Sequence, residues 1–396
     1  MSQAGRIELQ RALAFGRSCL KRVLMEETMI RRKAFPLVLI TLSLILVLWA
    51  QPAAPGMSSR FSFVAVGDAL IHQGVYNAAR VEDGAFDFRP MLRLVNDRIA
   101  RHDLAFYNQE TILGGAGLGL STYPCFNSPQ EVGDAFIDAG FNLVSLANNH
   151  TLDRRENGVL RSLEYWSDKE RVLTAGSHST QEDRDEIRTV EVNGITCALL
   201  AYTTLTNGLK PPAGKEYYVN VYDPETATAD VEKAKGKADV IIVSMHWGSE
   251  YVFTPTTAQT EIAEHLAELG VHIVLGHHPH VVQPVTMVGD TLVIYSLGNF
   301  LSAQRELFKL VGLLVSLDVV KTETPEGVKI SLENVTGTLL YNPRCSPLGR
   351  YVVVPFDMMT EAILKDFAKV HSRFAAYVKK DDTIDIMAPT PAQEQE

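Results

Sequence analysis

The sequence predicts an α/β protein with a polar site where its strands end. Between residues 61 and 305, short runs rich in valine, isoleucine and leucine alternate with apolar patterns of helical period. This alternation is typical of parallel strands connected by helices. Several of the apolar runs stop at polar residues. Because the carboxyl ends of parallel strands share one edge of a sheet, we expect those polar residues to converge there.

The clearest strand end lies in residues 271–280, with the sequence VHIVLGHHPH. A mostly apolar run stops at Gly276, and His277, His278 and His280 follow. Closely spaced imidazoles repel one another when protonated, whereas neutral imidazole is a common ligand of transition metals. For this segment alone, a surface cluster of histidines without a role is the alternative.

The other strand ends carry carboxylates, amides and further histidines. They are Asp68 and His72, Glu110, Asn149 and His150, His246, and Asn299. Six of the eleven histidines of the chain lie at the strand ends. Carboxylates, an amide oxygen and imidazoles, without sulfur, suit Mn, Fe, Zn or Co. The set would suffice for two divalent ions that share a bridging carboxylate.

Six short motifs at these ends resemble a known family. They are GD at 67–68, NxE at 108–110, NNHxxD at 148–153, HWGxEY at 246–251, HPHV at 278–281 and YSLGNF at 295–300. In this order they resemble the CapA family of capsule and poly-γ-glutamate biosynthesis proteins, within the calcineurin-like metallophosphatase superfamily. The resemblance implies a four-layer α/β/β/α sandwich of the metallophosphoesterase type over residues 61–305, with a dinuclear centre at the strand ends.

The resemblance also implies roles for individual residues. The metal ligands would be Asp68 and His280 for the first ion, Asn149, His246 and His278 for the second, and Glu110 as the bridge between them. His150 would be the catalytic acid, and Asp153 would be a second catalytic residue. Further candidates for substrate binding are His72, Asn108, Trp247, Glu250 and Asn299. His277 falls between motif positions and stays outside this set.

The sequence departs from the wider superfamily at three positions. The superfamily begins with Asp-x-His, whereas His72 is four residues beyond Asp68. Glu110 stands where an aspartate is usual, and Thr151 follows His150, with the acid delayed to Asp153. His72 could therefore reach the first ion, contact substrate or only pack.

The N-terminal 60 residues are expected to lie outside the α/β domain. Residues 34–50 contain no charge and follow a basic stretch at 31–33. As a helix they would be about 26 Å long, close to the roughly 30 Å core of a bilayer. Residues 1–33 hold eight Lys or Arg against three Glu. We therefore expect a cytoplasmic basic segment, a single transmembrane signal-anchor and a linker at 51–60. A cleaved signal, giving a secreted protein, is the alternative.

Segments outside the strand and helix alternation predict further β structure. Asn193-Gly194, within residues 187–203, predicts a hairpin. Residues 306–396 contain β-rich runs that we expect to complete a second sheet. A helix at about 359–378 and a polar tail, expected to be disordered from 380, would close the chain.

The charge balance argues against nucleic acid as a partner. The formal net charge is −10, and removing the net +5 of residues 1–33 leaves −15 for residues 34–396. A domain that acidic is poorly suited to nucleic acid or anionic lipid surfaces, whereas it would attract metal ions. The four cysteines include no CxxC pair, which argues against a zinc ribbon.

The main hypothesis is a membrane-anchored, extracytoplasmic metal-dependent phosphoesterase acting in capsule (poly-γ-glutamate) or cell-envelope polymer biosynthesis. Water between the two ions would be the nucleophile. Its partners would be an anionic polymer and other capsule-synthesis membrane proteins. A non-catalytic component that binds or exports the polymer is the first alternative. An exported nucleotidase or sugar-phosphate phosphatase is the second.

Overall fold

Two β-sheets packed face to face form the centre of the protein. The computed structural model describes residues 58–325 and 327–389, which belong to a single compact unit. Their strands are β1 (Ser58–Leu70), β2 (Leu104–Asn108), β3 (Leu143–Ser145), β4 (Leu173–Ala175), β5 (Thr189–Val192), β6 (Ile195–Thr203), β7 (Val240–His246), β8 (Ile273–His277), β9 (Val285–Val288), β10 (Thr291–Ile294), β11 (Asn299–Ser302), β12 (Val311–Thr324), β13 (Gly327–Tyr341), β14 (Val354–Pro355) and β15 (Asp385–Ile386).

The larger sheet has β1 near its middle. In the described part of the chain its order is β14-β13-β12-β1-β2-β3-β4, with β11 beside β1 and β15 beside β13. β1 runs parallel to β2 and antiparallel to β12. We expected the strands after residue 306 to complete the second sheet, and this is wrong. They extend the sheet of β1, because residues 58–65 pair with β12 without interruption.

The smaller sheet has the order β5-β6-β7-β8-β10-β9. Its strands β6, β7, β8 and β10 are parallel. β5 and β6 form an antiparallel hairpin, with Asn193 and Gly194 at φ of 53° and 78°. Asn and Gly adopt this left-handed region more readily than other residues. The hairpin predicted from Asn193-Gly194 is confirmed.

Helices connect most of the strands. Within the described residues they are α1 (Gln73–Ala79), α2 (Arg89–Leu92), α3 (Asn96–Ala100), α4 (Glu131–Asp138), α5 (Arg155–Ser167), α6 (Gln181–Asp185), α7 (Pro224–Lys235), α8 (Thr257–Glu268) and α9 (Phe367–Val378). The side chain of Thr256 caps α8 in a capping box with Gln259, which satisfies backbone donors of the first turn. The helix expected at about 359–378 begins only at Phe367.

Three apolar clusters show how the layers pack. One lies between the sheets and includes Phe63 and Phe106 from the larger sheet and Ile242 and Leu275 from the smaller one. A second joins the outer face of the larger sheet to α2, α3, α4 and α5. A third joins the outer face of the smaller sheet to α7 and α8. Across the described residues the layers are therefore helices, sheet, sheet and helices, and the predicted α/β class is confirmed.

The segment after α9 differs from the expectation of a disordered tail beginning at residue 380. Residues 385–386 form β15 and pair with β13. The pairing is held because Ile384 is fully buried in the cluster between the sheets. The expectation is therefore wrong for residues 385–386, and residues from 390 onward lie outside the described residues.

At the N-terminal side, the linker expected at 51–60 ends earlier, since residues 58–60 already belong to β1. The basic segment 1–33 and the membrane span expected at 34–50 lie outside the described residues. Within residues 58–325 and 327–389, none of the helices has the length and apolar character needed to cross a membrane.

Candidate metal centre

Polar residues from both sheets meet where the strands end. The larger sheet brings Asp68, Asn108, Glu110, Asn149 and His150, and the smaller sheet brings His246, His277, His278 and His280. We expected them along the edge of one sheet, and this is wrong, because β7 and β8 belong to a different sheet from β1, β2 and β3. Each of these residues is at most 5% exposed. Their polar groups must therefore find partners inside the protein.

The glycine before Asp68 allows β1 and β11 to approach each other closely. A Cβ at Gly67 would clash with the carbonyl group of Gly298. The backbone N–H of Asp68 donates to that same carbonyl oxygen at 2.9 Å. The Gly67-Asp68 pair therefore places a carboxylate at a backbone position that is fixed by a neighbouring strand.

Asp68 is surrounded by hydrogen-bond donors. Its Oδ1 accepts from Asn108 Nδ2 at 2.8 Å and lies 3.0 Å from His277 Nδ1. Its Oδ2 accepts from the backbone N–H of His278 at 3.3 Å and lies 3.4 Å from His280 Nδ1. Burial raises the pKa of this carboxyl group, but the hydrogen bonds and charges of His277 and His280 outweigh burial and hold the pKa well below its usual range. Asp68 is therefore an ionised carboxylate.

Glu110 lies in the opposite environment. It is fully buried, and neither carboxyl oxygen has a hydrogen-bond partner among the residues that the structure describes. Its Oε1 lies 3.9 Å from His246 Nε2 and 3.7 Å from His280 Nε2, too far for hydrogen bonds. Burial raises the pKa of Glu110 well above its usual value, and the charge of His280 offsets only part of that rise. A carboxyl group buried in this way is costly unless a cation joins it.

Glu110 and two histidines form a group that could hold a metal ion. One ligand atom from each of Glu110, His278 and His280 lies within 4.8 Å of the others. The ring centroids of His246 and His278 are also 4.8 Å apart. His278 and His280 have φ of 93° and 55°, which is unfavourable for a side chain of this size and is found mainly at functional sites. This bent backbone brings both rings to Glu110.

The protonation states of the histidines are compatible with metal binding. Burial lowers the pKa of His246 well below its usual value, and it lowers that of His278 to about 4. Burial acts in the same direction on His280, but the carboxyl groups of Glu110 and Asp68 outweigh it and raise the pKa to about 9. His246 and His278 are thus neutral, which is the form that binds metals. A metal ion at His280 would displace a proton.

Buried atoms without hydrogen-bond partners surround the group. They are both carboxyl oxygens of Glu110, His246 Nε2, His278 Nδ1 and Asn149 Oδ1. Buried polar atoms without partners are uncommon in folded proteins, and such atoms are often found where an ion binds. All of them are oxygen or nitrogen donors of the kind that Mn, Fe, Zn and Co accept. The residues present therefore fit divalent metal ions.

Asn299 supports a candidate ligand, which is not the substrate-binding role expected from the sequence. Its Nδ2 donates to Lys309 O at 2.9 Å and to Gln304 Oε1 at 3.0 Å. Its Oδ1 therefore faces His280 Nδ1, 3.0 Å away, as an acceptor. Asn299 holds the ring of His280 so that its Nε2 is directed toward Glu110.

The other residues expected to bind substrate fall into different environments. Trp247 is fully buried, donates from Nε1 to Tyr295 O at 2.9 Å, and packs in the cluster outside the smaller sheet. The expectation for Trp247 is wrong, because no substrate can reach that position. Asn108 is also fully buried and bonded to Asp68. Glu250 is exposed.

His150 and Asp153 form a pair beside the candidate ligands. His150 Nδ1 lies 2.7 Å from Asp153 Oδ2, which also accepts from the backbone N–H of Phe126 at 2.6 Å. The ring of Phe126 meets that of His150 edge-on, with centroids 4.7 Å apart. Since Nδ1 is engaged by Asp153, Nε2 is the nitrogen left for a ligand.

His72 lies on the other side of Phe126 and is not in the group of ligand atoms. Its ring centroid is 5.2 Å from that of Phe126, and its Nδ1 is 2.9 Å from Leu70 O. Burial lowers the pKa of His72 to about 4. Of the roles considered from the sequence, packing is the one that these contacts support.

Sequence reasoning missed two contacts of the site. His277 was left out of the ligand set, although Ile273, Leu275 and His277 alternate along β8 and therefore share its inner face. That period of two could have placed His277 inside. Asn207, from the loop after β6, accepts from Asn149 Nδ2 at 3.4 Å, and no local sequence signal marks it.

Residues 62–304 match the family described as bacterial capsule synthesis protein PGA_cap. The chain belongs to this family. The resemblance to CapA proteins carried by the six strand-end motifs is thereby confirmed. Membership of the PGA_cap family connects the chain with capsule synthesis and leaves its reaction open.

Two curated relatives carry the CapA name. The PGA biosynthesis protein CapA of Bacillus subtilis (strain 168) is 32% identical over 169 residues, which are 42% of this chain and 44% of that protein. The capsule biosynthesis protein CapA of Bacillus anthracis is 27% identical over 265 residues, which are 66% of this chain and 61% of that protein. The matched part is thus less than two thirds of either relative. Among solved structures, the NAD nucleotidase of Haemophilus influenzae (NadN) matches with a TM-score of 0.41 and 14% identity, over 84% of this chain and 65% of that one.

Proposed function

We propose that this protein is a metal-dependent phosphoesterase of the metallophosphoesterase type that acts outside the cytoplasm in capsule or cell-envelope polymer synthesis. The observation that carries the proposal is the buried group of Glu110, His278 and His280, whose ligand atoms lie within 4.8 Å of one another. Within the described part of the chain, the carboxyl oxygens of Glu110 have no hydrogen-bond partner. Membership of the PGA_cap family supports the connection with capsule polymer.

Glu110 would help to hold two divalent ions, together with ligands from both sheets. The first would contact Asp68 and His280, and the second would contact Asn149, His246 and His278. When bound, such ions supply positive charge to a phosphoryl group and lower the pKa of water. The donor set, oxygen and nitrogen without sulfur, is compatible with Mn, Fe, Zn or Co.

His150 would protonate the leaving group. Asp153 holds the ring through Nδ1 at 2.7 Å, so Nε2 is the nitrogen that can give a proton to the leaving oxygen. Phe126 packs edge-on against the ring of His150 and donates its backbone N–H to Asp153. Together these contacts fix the orientation of the imidazole before any substrate binds.

The charge of the chain bears on how an anionic substrate would approach. Residues 34–396 carry a formal net charge of −15, which repels a polyanion at long range. The metal ions would then be the local positive charge that attracts a phosphate or a polymer segment. Binding of substrate should therefore depend on metal and should strengthen with added salt at low metal occupancy, since salt screens the repulsion.

A polymer-holding component without turnover is the second candidate function. It is favoured by the names of the two relatives, which state a part in PGA or capsule biosynthesis and no reaction. Glu110 also stands where the superfamily usually carries aspartate. In this candidate function the same ions would bind anionic groups of the polymer without hydrolysing it.

Metal analysis of the chain from residue 57 onward, wild type beside His278→Ala, is the primary test. The chain is taken from residue 57 so that all of β1 is retained. We expect the wild type to bind divalent metal stoichiometrically and the variant to bind less. A wild type that takes up no metal under any loading condition would refute both candidate functions.

Measurements of substrate turnover distinguish the candidate functions. Hydrolysis of an aryl phosphate that is lost in His150→Ala, with metal retained, would support the phosphoesterase. Stoichiometric binding of metal and polymer without turnover would support the polymer-holding component. Nucleotide hydrolysis much faster than any polymer-linked reaction would instead indicate an exported nucleotidase.

The location is a separate part of the proposal. We propose that residues 34–50 anchor the chain in the cell membrane, with residues 1–33 in the cytoplasm and the α/β domain outside. The uncharged run and the preceding basic segment support this topology. Protease added to intact cells without a wall should digest the domain and spare a tag fused to residue 1. Protection of the domain would refute the topology.

A further inference from the structure

His277 lies between the two sheets and belongs to neither proposed ligand group. It is fully buried at the end of β8 and lies opposite His246 of β7 in the strand register. Its side chain shares the inner face of the sheet with Leu275, which packs in the cluster between the sheets. Its ring centroid is 5.5 Å from that of Phe106, which belongs to the larger sheet. His277 thus fills space between the sheets next to Asp68.

The two nitrogens of His277 have different environments. Nδ1 lies 3.0 Å from Asp68 Oδ1, whereas Nε2 is buried and has no hydrogen-bond partner within residues 58–325 and 327–389. Because a carboxylate can only accept, the proton must be on Nδ1. The same Oδ1 accepts from Asn108 Nδ2 at 2.8 Å. Both oxygens of Asp68 therefore have donors, but the contacts of Oδ2, with the N–H of His278 at 3.3 Å and with His280 Nδ1 at 3.4 Å, are longer than those of Oδ1. Oδ2 is thus the oxygen more open to a cation.

We propose that His277 is a positioning residue that orients Asp68 for metal binding and fixes the distance between the two halves of the site, without binding metal itself. This inference rests on the proposed function. Asp68 stands on the larger sheet, and His277 stands on the smaller one, directly before the turn that carries His278 and His280. The hydrogen bond therefore connects the oxygen donors of one sheet to the imidazoles of the other.

Three variants of the full-length protein in detergent test this role. His277→Ala removes the donor. His277→Asn keeps an N–H donor that can take the position of Nδ1 on a smaller side chain. His272→Ala is the matched control, because it removes an imidazole from just before the same strand, where Nδ1 accepts from Ile241 N at 3.1 Å. For each protein, Mn²⁺ and Zn²⁺ affinity and stoichiometry are measured by competition with a chromophoric chelator, and thermal unfolding is followed without metal.

We expect His277→Ala to weaken the binding of at least one ion by about 10- to 100-fold, as is usual when a residue supporting a ligand is removed. His277→Asn should recover most of the affinity, and His272→Ala should bind as the wild type does. Unchanged affinity in His277→Ala would overturn the inference. Equal loss of one whole equivalent in the Ala and Asn variants would also overturn it, because His277 would then be a ligand.

The variants also separate this inference from the proposed function. If His277→Ala does not fold, His277→Asn decides: affinity close to that of the wild type supports positioning, and lost affinity in a folded protein overturns it. A wild type that binds neither ion would refute the proposed function, whereas binding that is indifferent to His277 would overturn only the role of His277.

Discussion

His280 Nδ1 lies 3.0 Å from Asn299 Oδ1, so a candidate metal ligand is held by the first residue of β11. β11 runs parallel to β1, with Asn299 opposite Asp68. The ring of His280 is therefore oriented by the strand beside the one that carries Asp68. Such supporting hydrogen bonds commonly fix the tautomer and the direction of a ligating imidazole.

Replacing Asn299 should weaken metal binding while leaving the fold intact. We expect Asn299→Ala to lower metal affinity by about 10- to 100-fold, because Nδ1 of His280 loses the nearer of its two acceptors and keeps only Asp68 Oδ2 at 3.4 Å. Asn299→Asp keeps an oxygen at that position and should retain most of the affinity. Competition titration with a chelator measures both. Equal affinity in the wild type and in Asn299→Ala would show that Asn299 does not hold the ligand.

Glu110→Gln should have opposite effects on the metal-free and metal-loaded protein. Without metal, the variant should have a free energy of unfolding higher by about 1–3 kcal/mol, because it removes a buried carboxyl group that has no donors. With saturating Mn²⁺ or Zn²⁺, the wild type should gain more stability than the variant. Denaturant unfolding with and without metal measures both. Glu264→Gln, at an exposed position of α8, is the control and should change neither value. A variant stabilised by metal as much as the wild type would argue against Glu110 as a ligand.

If the protein turns over phosphate esters, His150→Ala should lower kcat by about 10²- to 10⁴-fold, the usual contribution of a general acid. Metal content should be unchanged, because His150 bonds to Asp153 and is not among the grouped ligand atoms. Release of phosphate from an aryl ester measures the rate. His265→Ala, which removes an imidazole of α8 bonded to Tyr222, should leave the rate unaffected. A rate in His150→Ala equal to that of the wild type would exclude the acid role.

His178 should make the fold less stable in mild acid. Burial lowers the pKa of His178 to about 4, although Asp183 acts in the opposite direction, whereas an unfolded chain has a histidine pKa near 6.5. Between those values the unfolded state binds more protons, so stability falls as pH falls, by up to about 1.4 kcal/mol per pH unit. Well above pH 6.5, by about one unit or more, the imidazole is neutral in both states and contributes little pH dependence.

The comparison with His178→Asn isolates this effect. Asp183, Arg184 and Arg188, which also face the imidazole, are the same in both proteins. Chemical unfolding at pH 7 and pH 5 should therefore show a smaller loss of stability in the variant. Equal losses would mean that other groups carry the acid sensitivity.

The local elements and the convergence of the strand ends could be predicted from the sequence. Asn193-Gly194 marked its hairpin because few residue pairs adopt that backbone, and the strand ends were marked by polar residues after apolar runs. The resemblance implied two sheets, but which strands belong to which sheet could not be predicted from the residues. An apolar run shows that a strand is buried and does not show its neighbour, and Ser58 pairs with Thr322 across more than 260 residues.

The roles of single residues in the site were harder to predict than their presence. Asn299 and Trp247 both stand in strand-end motifs, yet one holds His280 and the other packs outside the smaller sheet. A motif gives the residue type and its position along the chain. Which face of the sheet a side chain occupies, and whether a neighbour takes its hydrogen bonds, depends on distant strands. The same reason explains why His277 was left out.

The position of β1 also determines how the domain would respond to tension. A pull on the residues before Ser58 would act along β1, whose hydrogen bonds to β12 run across the direction of that pull over residues 58–65. These bonds would be loaded in shear and would have to break together. If the strand were instead peeled from the edge of a sheet, they would break one at a time. A domain tethered at its N-terminal end should therefore resist forces that would unravel a strand pulled from a free sheet edge. Single-molecule stretching, with the force applied at residue 57 in one experiment and at residue 389 in another, would measure the difference in unfolding force.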